Sequence, residues 1–589
     1  MTVLTKIETG AGGARQKVAS LAAVKAAGCL VVKGPDRPIA LFYHEDKVRA
    51  VDNRCPHMGF PLHKGSVQDG ILICHWHHAR FDLASGCTFD LFADDVPAYP
   101  VEIEGDDVYL CPPVHPDSAA RAFRRLRSGM EQNISLIIAK STIGLLSQNV
   151  SVRDIVREAV LFGARNRDGW SAGMVILAAM ANLTHELPPD EAGLPLSHGI
   201  TATARDCQGM SPRRDRDPLD RDDIDLDTSR RWFRHWALAR HRDGAERTLL
   251  TALKEGATPE QSADIIFSAI TDRFYADAGH TLDFANKAFE VTDLVGWKHA
   301  SDLLPALVPG IVGSRGAEES SPWHYPIDLV TKLKEIFERL PQMVAAGAGK
   351  SWSDESALAQ SLLADEPQPV LDALEAAIQS GAKPAQLGKA LALAAAMRIA
   401  RFGTSNEFGD WDTALHTFTY SNALSQALKR CGSTELIRGV FHGAMSVYQD
   451  RFLNVPPAPL PLDDADLADL PTDGPEILER LLDSMNQQQR VGDAARLVSR
   501  YVSLELPIRP LIAALTFATV REDAAFHTFQ VLEAGVRQFR EWEGTPQARV
   551  ILIAVARYLA AHAPTTRSFL QSYVIAQRLH RGDSLYEDD

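Results

Sequence analysis

At 589 residues the chain is too long for one hydrophobic core, and two to four domains are expected. With 45% apolar and 23% charged residues it has the composition of a folded globular protein. Its 76 acidic against 61 basic residues argue against nucleic acid as the main partner.

The opening MTVLTKIETG has no basic stretch followed by an apolar core, so no secretory leader is expected. From Lys17 to Cys111 short β-rich runs (CLVVK, PIALFYH, KVRAVDN, ILICH, PVEIEGDDVYLC) alternate with Gly, Pro and Asp turns. Between them, residues 55–78 read CPHMGFPLHKGSVQDGILICHWHH, two cysteines and five histidines in one loop-rich segment. Cys55-x-His57 is followed, after sixteen residues, by Cys74-x-x-His77. Taken alone, this donor set suits either a structural Cys₂His₂ zinc site or an iron–sulfur cluster.

The pattern, with ARFDLASG (79–86) behind it, resembles the Rieske [2Fe–2S] signature. That resemblance implies a cluster held by Cys55, His57, Cys74 and His77, with His63, His75 and His78 as bystanders. Two thiolates hold one iron and two neutral imidazoles the iron that is reduced, which raises the potential above that of an all-thiolate cluster. High-potential members carry two further cysteines. Phe60 and Trp76 stand at those places here and no serine follows His77, so the lower-potential ferredoxin or oxygenase type is implied, at roughly −150 mV.

Beyond the linker CPPVHPDSAA the chain turns Ala/Leu/Arg-rich with 3.6-residue periodicity. The expected architecture is multidomain: a small all-β domain (1–112), then a large all-α region of divergent helical repeats. Three repeats occupy 120–454 and a fourth 476–589. SPRRDRDPLDRDDIDLD (211–227) reads as a solvated loop. Apolar runs such as RVILIAVARYLAAHA are broken by arginine and too short to span a bilayer.

Three segments share one layout, with proline fourteen residues before arginine: Pro259 to Arg273, Pro384 to Arg398, Pro507 to Arg521. Residues 146–167 form a looser copy. Each copy is followed by a histidine: His198, His280, His416 and His527, the last three continuing His-Thr. One imidazole per copy suggests ligands converging on the axis of a pseudo-symmetric bundle. Histidines duplicated merely as packing residues are the alternative. Asp277-x-x-His280 begins the D-x₂-H-x₄₋₅-H pattern of ring-hydroxylating oxygenases, but Ala285 and Asn286 end it, and paired E-x-x-H motifs are absent.

The four histidines and the helical texture resemble the questin-oxidase-like family. That resemblance implies oxidative chemistry on aromatic polyketides at an iron held by histidines and a carboxylated lysine. Lys287, seven residues after His280, is the lysine candidate. Asp412 and Asp523, each four residues before a histidine, are candidates to orient imidazoles or to cap helices; Asp283, Asp206 and Glu290 are further carboxylates. His442 and His324 fall outside the register and are expected to pack.

The expected function is therefore a cytoplasmic oxidoreductase. Its [2Fe–2S] cluster would pass electrons to a mononuclear non-haem iron at His198, His280, His416 and His527, with Lys287. That iron would activate O₂ on an organic, aromatic-type small-molecule substrate. No nucleotide fingerprint is present, so an external NAD(P)H-dependent reductase or ferredoxin is the expected partner. A homo-oligomer is compatible; nucleic acid and membrane are not expected. The alternative is an electron carrier or redox sensor whose helical part docks a partner.

Overall fold

The computed structural model describes residues 15–34, 37–111, 118–221, 223–453, 456–583 and 585. Residues 112–117 of the expected linker, and the first fourteen residues read for a leader, lie outside them. The chain divides into two compact units, one running to Ser151 and taking in Gln571 onward, the other Val152–Leu570.

Among the described residues the first unit carries ten antiparallel strands in three sheets. β2 (Cys29–Lys33), β3 (Pro38–His44), β4 (Lys47–Asp52) and β8 (Ala98–Tyr99) form one. β1 (Gln16–Ser20), β10 (Asp107–Leu110) and β9 (Val101–Glu104) form the second. β5 (Ser66–Gln68), β6 (Ile71–Ile73) and β7 (Arg80–Asp82) form the third. Hairpin chemistry sets the registers: Asp69-Gly70 takes positive φ at both positions, so Gln68 pairs directly with Ile71. Strand β3 is buried on both faces. Ile39 and Leu41 enter one core, whereas Ala40 and Phe42 enter the other with Cys55, Leu62, Leu72, Cys74 and Phe81.

A short helix α1 (Leu21–Ala27) follows β1, and a helical pair, α2 (Ser118–Glu131) and α3 (Ser135–Ser147), completes the unit with residues from Gln571. The boundary expected near residue 112 thus differs from the compact division. The reason is electrostatic: arginines of α2 and a lysine of α3 pair with Asp94 and Asp95 of the β domain.

In the second unit we number only the helices that build the core. They are α4 (Ala172–Leu183), α5 (Gly193–Cys207), α6 (Pro259–Ile270), α7 (His280–Val295), α8 (Pro384–Ile399), α9 (Phe408–Arg430), α10 (Ile508–Val520), α11 (Phe526–Trp542) and α12 (Pro546–Ala561). Pro259 and Pro384 stand in first turns and Pro507 immediately precedes α10, where a missing N–H leaves no partner unsatisfied. Four helices close a ring: α4 packs on α7, α7 on α9, α9 on α11, and α11 on α4. The segment 476–589 therefore does not stand apart, since α11 supplies a wall of this ring. Outer helices back each wall, α5 on α4, α6 on α7, α8 on α9, and α10 and α12 on α11. Residues 211–221 and 223–225 are irregular, as expected of a solvated loop. No helix among the described residues is long and apolar enough to cross a membrane.

Candidate metal centres

The two loops between strands bring Cys55 and Cys74 together in the core, each 1% exposed. Each loop is a tight turn closed by its own backbone. The N–H of Gly59 donates to the carbonyl of Cys55 at 2.8 Å, and that of His78 to Cys74 at 2.9 Å. The thiols face each other. Cys55 lies above its ordinary range because it shares a hydrogen with Cys74 and is buried; Cys74 is held low by the same hydrogen bond. Backbone N–H groups of His57 and Met58 point to one sulfur, those of Trp76 and His77 to the other. Donors so placed suit thiolates.

The rings of His57 and His77 lie edge to face with centroids 4.8 Å apart. His57 is half-buried beneath Phe92, whose centroid is 5.0 Å away, whereas His77 is exposed beside Trp76. Burial, His77 and Lys140 push the His57 imidazole down to about 4, so it is neutral at pH 7. Its Nδ1 is buried with no hydrogen-bond partner, as an atom reserved for a metal would be. Two facing sulfurs and two neighbouring imidazoles thus fit a mixed Cys/His iron–sulfur cluster. The remaining histidines have other work. His63 lies 3.1 Å from Asn53 and His75 2.9 Å from Ser66, while His78 takes positive φ in the turn. No described cysteine is in a disulfide.

In the helical unit the rings of His280, His416 and His527 converge. One nitrogen from each lies within 4.8 Å of the others, and the Nε2 atoms of His416 and His527 are 3.0 Å apart. Their elements explain the convergence. His527 is the second residue of α11, and His416 is on the third turn of α9. His280 begins α7 after an unusual turn, in which Tyr275, Asp277, Ala278 and Gly279 all have positive φ. Asp277 anchors that turn by accepting from the Arg315 N–H at 2.9 Å and from Thr281 at 3.2 Å. Left-handed residues in succession are costly and persist where surrounding structure over-determines them, typically at functional sites. A side chain on Gly279 would meet Cβ of Tyr420 at 2.8 Å.

Burial lowers all three imidazoles; neighbouring histidines lower His280 further, to about 4, and His416 to about 3, whereas Asp412 opposes the shift at His527. They present lone pairs, not charges, at neutral pH. Two ligand nitrogens about 2.1 Å from one ion and at right angles lie about 3.0 Å apart, the His416–His527 spacing. Behind His527, Nδ1 faces Asp412 Oδ1 at 3.7 Å, and Tyr558 donates its hydroxyl to that oxygen at 2.9 Å. Asp412 therefore serves His527 across the ring and not its own i+4 neighbour. His562, which sequence reasoning missed, donates Nδ1–H to the Tyr558 carbonyl at 2.8 Å and turns Nε2 toward Asp412. Phe284 and Phe526 flank His280.

Two expected ligands lie elsewhere. His198 is on α5, outside the ring, and donates Nε2–H to the Val520 carbonyl at 2.6 Å, packed between Phe529 and Phe569. The fourth wall is α4, which brings Asn182 to the axis. Lys287 shares a face of α7 with His280, but seven residues span about 10 Å, too far to reach the same ion. Its ammonium is buried between Glu290, at 2.9 Å, and Glu533. Asn182 bridges the same carboxylates at 2.7 and 3.0 Å, and Arg537 adds a second cation. Burial opposes the Lys287 charge, yet the carboxylates hold its pKa above the ordinary value; an acidic, carboxylated lysine does not fit there. One turn from His280, Asp283 is pushed up to about 7 by burial and accepts from Gln530.

The other candidates have structural partners. Asp523 accepts the N–H groups of Ser568 and Phe569, capping a following helix, and Asp206 accepts from Gly173 at the start of α4. His442 is buried and stacked on Phe274; His324 bonds the Glu318 carbonyl.

The loop geometry and ligand set of the β unit fit an iron–sulfur electron-transfer domain, and the comparisons with known proteins agree. A sequence model described as "Rieske [2Fe-2S] domain" matches residues 14–100. The ferredoxin component of naphthalene 1,2-dioxygenase/salicylate 5-hydroxylase systems from Ralstonia sp is 34% identical over 82 residues, 13% of this chain and 77% of that protein. A human Rieske domain-containing protein is 40% identical over 55 residues, 9% of this chain and 35% of that protein, so the chain spans about a third of its length. The ferredoxin of carbazole 1,9a-dioxygenase from Nocardioides aromaticivorans IC177 aligns with 25% identity and a TM-score of 0.16, covering 17% of this chain and 97% of that one. Through residues 14–100 the chain belongs to the Rieske [2Fe–2S] family.

Proposed function

We propose that this chain is a Rieske-fed non-haem iron oxygenase. Cys55, His57, Cys74 and His77 hold the [2Fe–2S] cluster, and His280, His416 and His527 hold a single iron in the helical unit. Such an iron, supplied with electrons one at a time, provides O₂ activation toward an organic substrate. The observation that carries this reading is the convergence of three neutral imidazoles from three helices in the same chain as a one-electron carrier.

The residues divide the work. Asp412, steadied by Tyr558, lies 3.7 Å from His527 Nδ1, where its charge favours the proton and would leave Nε2 for the metal. With the His527 proton on Nδ1, the hydrogen of the 3.0 Å contact belongs to His416 Nε2, and His416 would ligate as the tautomer that carries it on Nδ1 instead. Gathering all three nitrogens on one ion asks for ring shifts of about an ångström. Three protein ligands leave open positions for O₂ and substrate. Phe284 and Phe526 favour an apolar, aromatic-type molecule beside His280. An external NAD(P)H-dependent reductase or ferredoxin supplies the cluster.

Iron analysis of anaerobically purified protein tests this. Three irons per chain are expected, falling to two in His416→Ala while the cluster's visible spectrum persists. Two irons in the unaltered chain would leave a carrier or sensor with a helical docking scaffold instead.

A further inference from the structure

The helical pair α2–α3 lies beyond the stretch that matches the Rieske family, yet it clasps the cluster-binding part of the same unit. Arg121 and Arg125, one turn apart on α2, face the loop that follows β7. Arg121 pairs with Asp95. Arg125 pairs with Asp94 at 3.1 Å and donates to the Ala93 carbonyl at 2.7 Å. This is the loop that lays Phe92 against His57.

Lys140, on α3, completes the clasp. Its ammonium pairs with Asp94 and donates to the carbonyl of Pro56 at 2.7 Å. Pro56 is the residue between Cys55 and His57, so a fixed cation hydrogen-bonds the peptide that joins two cluster ligands. Burial would raise the Asp94 carboxyl, but Lys140 and Arg125 carry it below its ordinary value. Three cations against two carboxylates leave the clasp net positive, and Lys140 is close enough to act on His57.

We propose that Lys140 is a positioning and potential-setting residue for the cluster: its charge raises the reduction potential, and Asp94 opposes it. Reduction adds one electron from an external reductant, converts the imidazole-bound iron from ferric to ferrous, and makes the cluster one unit more negative. A nearby cation stabilises that product relative to the oxidised form, and a nearby anion destabilises it. The inference rests on the cluster alone and is independent of the helical histidines.

The test is a reductive titration of the intact holoprotein at fixed pH with dithionite and mediators, read by the EPR signal of the reduced cluster. Lys140→Met should lower the reduced-to-oxidised ratio at a given potential by roughly tenfold, about 59 mV for a one-electron couple. Asp94→Asn should move it the opposite way, and Lys140→Arg should stay within about twofold of the parent. The opposition of sign separates charge from architecture. A clasp that only packs the loop would be loosened by both Lys140→Met and Asp94→Asn, shifting the potential in the same direction, and that result overturns the proposal. So does a shift below twofold for Lys140→Met. If Lys140→Met assembles no cluster, Asp94→Asn decides: an unchanged or lowered potential refutes the assignment.

Discussion

Lowering the pH from 7 to 5 should draw stability out of the helical unit through its buried histidines, which are held neutral. His198 and His442 are 9% and 1% exposed, and burial pushes them down to about 4 and about 3. The unfolded chain, with histidines near their ordinary value of about 6.5, takes up protons first as pH falls. Between that value and the folded ones the unfolded state binds more protons, so stability falls with falling pH, at about 1.4 kcal/mol per unit per fully shifted group. From pH 7 to 5 each of the two costs about 2 kcal/mol, so the pair removes about 4 kcal/mol. His280 and His416, shifted to about 4 and about 3, add to this, less per residue because water partly reaches them. Urea melts of metal-free protein at pH 7, 6 and 5 read the slope, and His442→Leu should remove from it the share of one group, about 2 kcal/mol between pH 7 and 5. Asp283 and Asp450, pushed up to about 7 by burial, oppose this by about 2 kcal/mol each over the same range, so the histidine share is read as a difference, and a slope untouched by His442→Leu would refute the reasoning.

Asp412→Asn should weaken iron binding at the helical site by about 10–100-fold while leaving the cluster spectrum alone, measured by competition with a calibrated chelator. Lys287→Met should leave helical iron in place but destabilise the unit by about 3–5 kcal/mol, since Glu290 and Glu533 lose a buried partner; denaturant melts and iron content read the two effects separately. His198→Gln should likewise retain the iron.

The candidate cluster ligands stand out in the sequence because all four sit in two short loops, where spacing alone encodes geometry. The helical histidines were legible only through the repeated layout, and the finer signal was the following residue. His280, His416 and His527 each precede threonine and converge, whereas His198 precedes Gly199 and lies on an outer helix. Counting copies located α5, but the ring wall is the helix before it, a choice made by packing and not by periodicity. Lys287 was on the right face and two turns too deep. Asp412 serving His527, Tyr558 and His562 beside Asp412, and Lys140 reaching Pro56 join residues 84 to 150 positions apart, and no local pattern announces such pairs.

Anomalous scattering at the iron edge from crystals of anaerobically prepared protein tests the central claim most directly. Three irons per chain are expected, two bound between Cys55, His57, Cys74 and His77, and a third among His280, His416 and His527. Iron confined to the Cys/His loops, with no peak at the three helical histidines, would contradict it.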